Sequence, residues 1–246
     1  VDWNWTSVKS SAAWSSRFGL TSLAYDEKIY VMGGFDMSAK YNDVWSSSDG
    51  STWALVTGSA GWSGRYGLTS VVHDDKLLVM GGYDTSVVND VWSSLDGSTW
   101  TLVTGTAGWS GRFYHTSVVY DNIIYVMGGD AGSSYLNDVW SSGDGGATWV
   151  EVTSSAGWSS RKAPSSVAFD DQIYVLGGDI FSSQLNDIWS STDGSTWNLV
   201  TNSAGFSGRM YHGNVVYDKK IFVMGAKMHH LDSMMFGLHQ MVLLGI

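Results

Sequence analysis

"DVWSSLDGSTWTLVTGTAGWSGRF", residues 90–113, is the stretch that decides the fold, because close copies of it stand elsewhere in the chain. Residues 43–66 read "DVWSSSDGSTWALVTGSAGWSGRY" and residues 187–210 read "DIWSSTDGSTWNLVTNSAGFSGRM". The period is regular. Arginines stand at 17, 65, 112, 161 and 209, at spacings of 48, 47, 49 and 48, and the chain has no others. The first glycine of each "GG" pair, at 33, 81, 128 and 177, and the glycine at 225 keep the same spacings. Thirteen of the 14 tryptophans fall on three repeat positions: Trp5, Trp53, Trp100, Trp149 and Trp197; Trp14, Trp62, Trp109 and Trp158; Trp45, Trp92, Trp140 and Trp189. Self-similarity at nearly fifty residues indicates units that cannot bury their apolar faces alone and must pack on their neighbours.

Each unit divides into four short strands. "TSLAYD" is followed by a turn at Asp26-Glu27 and then by "KIYVMGG", an almost continuously apolar strand of the kind covered on both faces. "NDVWSS", a turn at "SDG" and "WALVT" complete the unit. No segment carries a helical period. With 30 glycines and one proline, the composition suits sheets and tight turns. A four-stranded unit of this length with a glycine pair and a tryptophan is a propeller blade.

At these residues the chain resembles the kelch-repeat family. The carriers are the glycine pair closing the second strand and the downstream aromatic, Trp53 and its equivalents. A weaker echo lies in "SGDGGATW", residues 142–149, which is similar to the Asp-box turn of sialidase-like propellers. In that reading Asp49, Asp96, Asp144 and Asp193 hold the amides of their own turns and are structural.

The expected architecture is all-β: a five-bladed propeller of four-stranded antiparallel blades in a single domain, residues 1–246. The repeats run about 17–64, 65–111, 112–160 and 161–208, with 209–246 completed by 1–16. Trp5 precedes Arg17 by as many residues as Trp53 precedes Arg65, so the opening "WNWTSV" reads as an outer strand without its blade. Pairing it with the C-terminal blade, whose third strand would be Leu231–Gly237, closes the ring and hides the edges. A ring closed in this way is expected to be a monomer. The tail "AKMHHLDSMMFGLHQMVLLGI" has lost Gly, Asn and Trp from their slots, and if the ring is incomplete a neighbouring copy could complete it, giving an oligomer.

Function is less legible. A formal net charge of −10 argues against nucleic acid as partner, and no apolar run is long enough to insert in a membrane. The absence of cysteine excludes disulfides, thiol nucleophiles and thiolate metal sites. No cofactor or metal is expected. The Ser-, Gly-, Thr- and Trp-rich composition leans to an extracellular or secreted protein, any secretion signal having been removed.

In a propeller the arginines immediately precede the innermost strands, so Arg17, Arg65, Arg112, Arg161 and Arg209 should encircle the channel mouth. Two roles are open to them. They are structural if they bond backbone carbonyls or pair with Asp36, Asp84, Asp130 or Asp179; otherwise they form a ring of forked donors for a ligand, Arg112 and Arg209 being the most exposed. Specificity should lie where the copies differ. After each arginine the chain reads "FGL", "YGL", "FYH", "KAP" and "MYH", which marks Tyr114, His115, Tyr211 and His212 as candidates, with Lys162 between. The reading is a non-enzymatic module that binds protein or carbohydrate at the mouth. The alternatives are a kelch-like sugar-acting enzyme, an isomerase or lyase, using rim His and Arg, and a structural or artificially assembled propeller without ligand. Cofactor chemistry of the galactose-oxidase type needs a cysteine. Glu27 and Glu151, the two glutamates, lie away from the mouth and supply no sialidase dyad. His229 and His230, in the aberrant tail, read as surface residues.

Overall fold

The computed structural model describes residues 6–226 and the strand Val242–Leu244. Four four-stranded antiparallel sheets follow one another along the chain. The first holds β1 (Thr21–Tyr25), β2 (Lys28–Met32), β3 (Val44–Ser47) and β4 (Ala54–Thr57), and the second β5 (Thr69–His73), β6 (Lys76–Tyr83), β7 (Val87–Ser94) and β8 (Thr101–Thr104). The third holds β9 (Thr116–Tyr120), β10 (Ile123–Asp130), β11 (Tyr135–Ser142) and β12 (Val150–Thr153). β13 (Ser165–Phe169), β14 (Gln172–Asp179), β15 (Gln184–Ser191) and β16 (Asn198–Thr201) form the fourth. The innermost strands pack in order, β1 on β5, β5 on β9 and β9 on β13, as propeller blades do.

The last sheet departs from the expected fifth blade. It has three strands, β17 (His212–Tyr217), β18 (Lys220–Gly225) and β19 (Val242–Leu244), so the described residues form four complete blades and not five. β17 packs on β13. The strand paired with β18 is β19, through Ile221↔Leu244 and Val223↔Val242. Leu231–Gly237, expected to take that place, lies outside the described residues, as does Trp5, on which closure by the N-terminal strand depended. Thr6, Ser7 and Val8 are described and are not in a strand.

Local chemistry explains the regularity. The hairpins between the first two strands turn at Asp26-Glu27, Asp74-Asp75, Asp121-Asn122, Asp170-Asp171 and Asp218-Lys219, every residue at φ between 47° and 55°. Two left-handed residues in a row match the right-handed strand twist, and Asp and Asn tolerate that region better than most side chains. At the other end of β10 the glycine pair allows a bulge: Gly128 and Gly129 have φ of 59° and 102°, and the β10–β11 register shifts between Met127 and Gly129. A Cβ on Gly129 would lie 2.7 Å from the His115 Cβ.

The cores lie between consecutive sheets. Met32 and Trp62 of the first pack on Leu77 and Val79 of the second. Met80 and Trp109 meet Ile124 and Val126, and Met127 and Trp158 meet Ile173 and Val175. Leu176 and Phe206 meet Ile221 and Val223. Each fully buried side chain of this size contributes roughly 1.5–3 kcal/mol. The tryptophan repeat thus becomes a repeated edge-to-face pair: Trp14–Trp53, Trp62–Trp100, Trp109–Trp149 and Trp158–Trp197, with centroids 5.8–6.0 Å apart.

Candidate functional site

The arginines come first, because their fate decides what the loops can offer. Arg112 donates from Nε to the Ser110 carbonyl, from Nη1 to the Gly128 carbonyl and Asp138 Oδ1, and from Nη2 to the Ser110 hydroxyl and Asp138 Oδ2. All five N–H groups are engaged. Arg17, Arg65 and Arg161 repeat the pattern on Asp43, Asp90 and Asp187. Each of these aspartates also accepts from the indole of the tryptophan two residues on, Trp45, Trp92, Trp140 or Trp189.

Arg112 and Arg209, expected to be the most exposed, are 0% and 2% exposed. The acids that pair with Arg17, Arg65, Arg112 and Arg161 are not Asp36, Asp84, Asp130 and Asp179 but those of the "ND-W" strand, Asp43, Asp90, Asp138 and Asp187. That strand lies in the same sheet, and its Asp faces the guanidinium across the bulge. The signal was present as a constant Arg-to-Asp spacing of 26, 25, 26 and 26 residues. Arg209 differs. It bonds the Ser207 carbonyl and hydroxyl and the Gly225 carbonyl, and no carboxylate pairs with it among the described residues.

The two Tyr-His pairs separate. His115 and His212 are buried between sheets, where His115 packs on Gly81 and His212 on Gly177, the slot that Leu68 occupies against Gly33. Their Nε2 atoms share hydrogen bonds with Thr69 Oγ1 at 2.9 Å and Ser165 Oγ at 2.7 Å. Burial, with Arg112 and Arg209 nearby, pushes both imidazoles down to about 3, so both are neutral at ordinary pH. Expected as rim residues, they are interior ones instead.

The tyrosines stay at the surface. Tyr114 and Tyr211 belong to a belt of backbone hydrogen bonds that links the sheets: Gly67 N to Gly19 O, Tyr114 N to Gly67 O, Ala163 N to Tyr114 O, and Tyr211 N to Ala163 O. All five residues, each two places after an arginine, sit at φ between 50° and 66°. Glycine holds that conformation freely; a tyrosine there costs about 1–2 kcal/mol. Gly67 and Gly19 leave room beside the Tyr114 ring, and Ala163 intervenes in sequence between the two tyrosines. Their rings meet at 4.6 Å, edge to face. Burial pushes the Tyr114 hydroxyl well above the usual phenol range, with Tyr211 and Tyr66 adding to it.

From this pair a strip of rings runs back over the first three sheets. Phe18, Phe35, Tyr66, Tyr83, Phe113, Tyr114 and Tyr211 follow one another with neighbouring centroids 4.6–5.5 Å apart. Six of the seven are half-buried, and Tyr211 is 36% exposed. The residues after each arginine bridge those after each glycine pair: Phe18↔Phe35, Tyr66↔Tyr83, Phe113↔Asp130 and Lys162↔Asp179. The face therefore grades from aromatic on the first two sheets to charged on the fourth. At the aromatic end lies an open depression of about 490 Å³, lined by Phe35, Lys40, Ser63, Gly64, Asp84 and others. Burial alone would raise the Asp84 carboxyl, but bonds from the Ser86 amide and Ser63 hydroxyl outweigh it and hold it at about 2. Lys40 donates to the Asp84 carbonyl and lies over Tyr83; Lys162 lies over Tyr135.

Other chemistry is sparse. Asp49 accepts from the amides of Ser51 and Thr52, closing its own turn, as Asp96 and Asp193 do in theirs. Among the described residues no three His, Cys, Asp or Glu are grouped to hold a metal, and no helix is long and apolar enough to cross a membrane. His229 and His230 lie outside those residues.

Comparison with known proteins supplies the frame for this face. Residues 47–226 match the family model described as the KLHDC2/KLHL20/DRC7 Kelch-repeats domain, and residues 16–46 match the Kelch motif. No curated protein matches the chain.

Proposed function

This chain belongs to the kelch-repeat family, and from that premise we propose that it is a recognition module that binds another protein across the aromatic strip at the channel mouth. Kelch propellers generally mediate protein–protein interaction. One observation carries the placement: seven rings, most of them half-buried, run unbroken on one face, where each of the first two sheets contributes two and the third contributes Phe113 and Tyr114. Rings left partly open in this number mark an interaction surface, and Tyr and Phe supply large contact area at small entropy cost. The arginines serve this surface indirectly, by fixing the loops that carry it.

The test is affinity capture with three baits: the wild type, a mouth variant (Tyr66→Ala with Phe113→Ala) and an opposite-face variant (Glu27→Ala). A partner held by the first and third baits, lost on the second, and then rebuilt from purified components supports the reading. A partner retained by the mouth variant overturns it.

A further inference from the structure

Resting on that reading, the geometry points to a specific partner class: we propose that the strip receives an extended, proline-rich segment flanked by basic residues. Proline-rich chains adopt the polyproline II helix, which has no internal hydrogen bonds and arrives already ordered. Such a ligand asks for flat apolar faces to seat its rings and for donors at their edges to meet its free carbonyls. The strip offers both. Phe18, Phe35 and Phe113 are faces only, Tyr66 and Tyr83 bring hydroxyls among them, and the Tyr114 hydroxyl is spent on Tyr211.

Charge favours basic flanks. Asp36, Asp84, Asp130 and Asp179 border the strip, on a chain of net charge −10. Asp84 lines the depression at one end and Asp179 lies beside Lys162 at the other. The two lysines of the face are folded onto its own rings, Lys40 4.8 Å from the Tyr83 centroid and Lys162 5.0 Å from that of Tyr135. The left-handed backbone of Tyr114 and Tyr211 adds an independent argument. Glycine fills the same place at 19 and 67, so the left-handed position itself does not call for a tyrosine.

Three fluorescent peptides test this by anisotropy: decaproline flanked by arginines, decaproline flanked by glutamates, and an arginine-flanked glycine–serine chain of equal length. The arginine-flanked decaproline should bind about tenfold or more tighter than either control. Tyr114→Gly, which keeps the backbone in a conformation glycine prefers, should weaken it by about tenfold, and Tyr66→Ser likewise. Equal binding of the glycine–serine chain would reduce the attraction to charge and overturn the proposal, as would equal binding of the glutamate-flanked peptide or no binding at all. If no peptide binds while a captured partner is still lost on the mouth variant, the proline-rich assignment falls and the protein-binding reading stands.

Discussion

Arg112 and Tyr114 are two residues apart in one loop and lead opposite lives. The arginine is buried with five donors spent inside its own sheet; the tyrosine is strained, half-buried, and turned towards rings of other sheets. The arginine recurs in every unit, whereas the place of the tyrosine is Gly, Gly, Tyr, Ala and Tyr. Positions that the frame requires are filled alike. Positions that the frame merely tolerates are free to differ, and recognition can be built only there.

The sharpest way to break this contrast is to remove the frame residue. Arg112→Ala strands the Asp138 carboxylate, the Ser110 hydroxyl and the Gly128 carbonyl, and should cost about 3–5 kcal/mol, as for other broken buried pairs. Arg209→Ala removes an arginine with no carboxylate partner among the described residues and should cost less, about 1–3 kcal/mol. Urea melts of the two variants decide it: equal losses would mean that the bidentate pair is not what makes the ring arginines structural.

Gly129→Val tests the bulge beside the same loop. Its Cβ would meet His115 at 2.7 Å with the backbone at φ 102°, so a loss of about 2–4 kcal/mol is expected in the same melts. An unchanged midpoint would show that the pair of glycines is a sequence habit and not a steric need.

How much of this contrast could be read beforehand depends on which physical rule governs each residue. Strand order, hairpin turns and the tryptophan and glycine places follow from local periodicity, and they are legible because period-two strands and left-handed turns restrict residue choice locally. The partner of Arg112 is not local. Loop position suggested Asp130, but the bulge at Gly128–Gly129 carries the chain past that acid and brings Asp138 of β11 to the guanidinium. Tyr114 and His115 looked like a unit because they are adjacent. A left-handed residue at 114 sends one ring outwards and the next between the sheets, and nothing in a tyrosine announces positive φ. The fifth blade failed for another reason: its third-strand "ND-W" is missing, and no local rule names the substitute Val242–Leu244.

The buried histidines allow a pH test with a worked sign. Their folded values near 3 lie below the unfolded value of about 6.5, so the unfolded chain binds the proton first. The stability they contribute is whole above about pH 6.5 and is lost as pH falls towards their folded value. Between pH 7 and 5 each should withdraw roughly 1–2 kcal/mol, a window above the ordinary carboxylate range. His115→Leu, which copies the residue at 68, should flatten the fall in melting temperature over that window. A slope identical to wild type would mean that His115 protonates in the folded state and is not sealed between the sheets.

The smallest expected effect is on the other side of the comparison. Tyr114→Gly relieves a left-handed backbone worth about 1–2 kcal/mol and loses an edge-to-face contact with Tyr211 worth about 0.5–1.5 kcal/mol. It also frees the unfolded chain, which opposes the gain by up to about 1 kcal/mol. The terms nearly cancel, and stability should stay within about 1 kcal/mol of wild type. The belt hydrogen bonds use only backbone atoms and survive the change. A loss as large as that of Arg112→Ala would place Tyr114 in the frame and remove the reason for treating its strain as a mark of binding. A near-neutral melt, beside the severe one two residues away, locates the boundary between the part of the loop that builds the propeller and the part left free to recognise a partner.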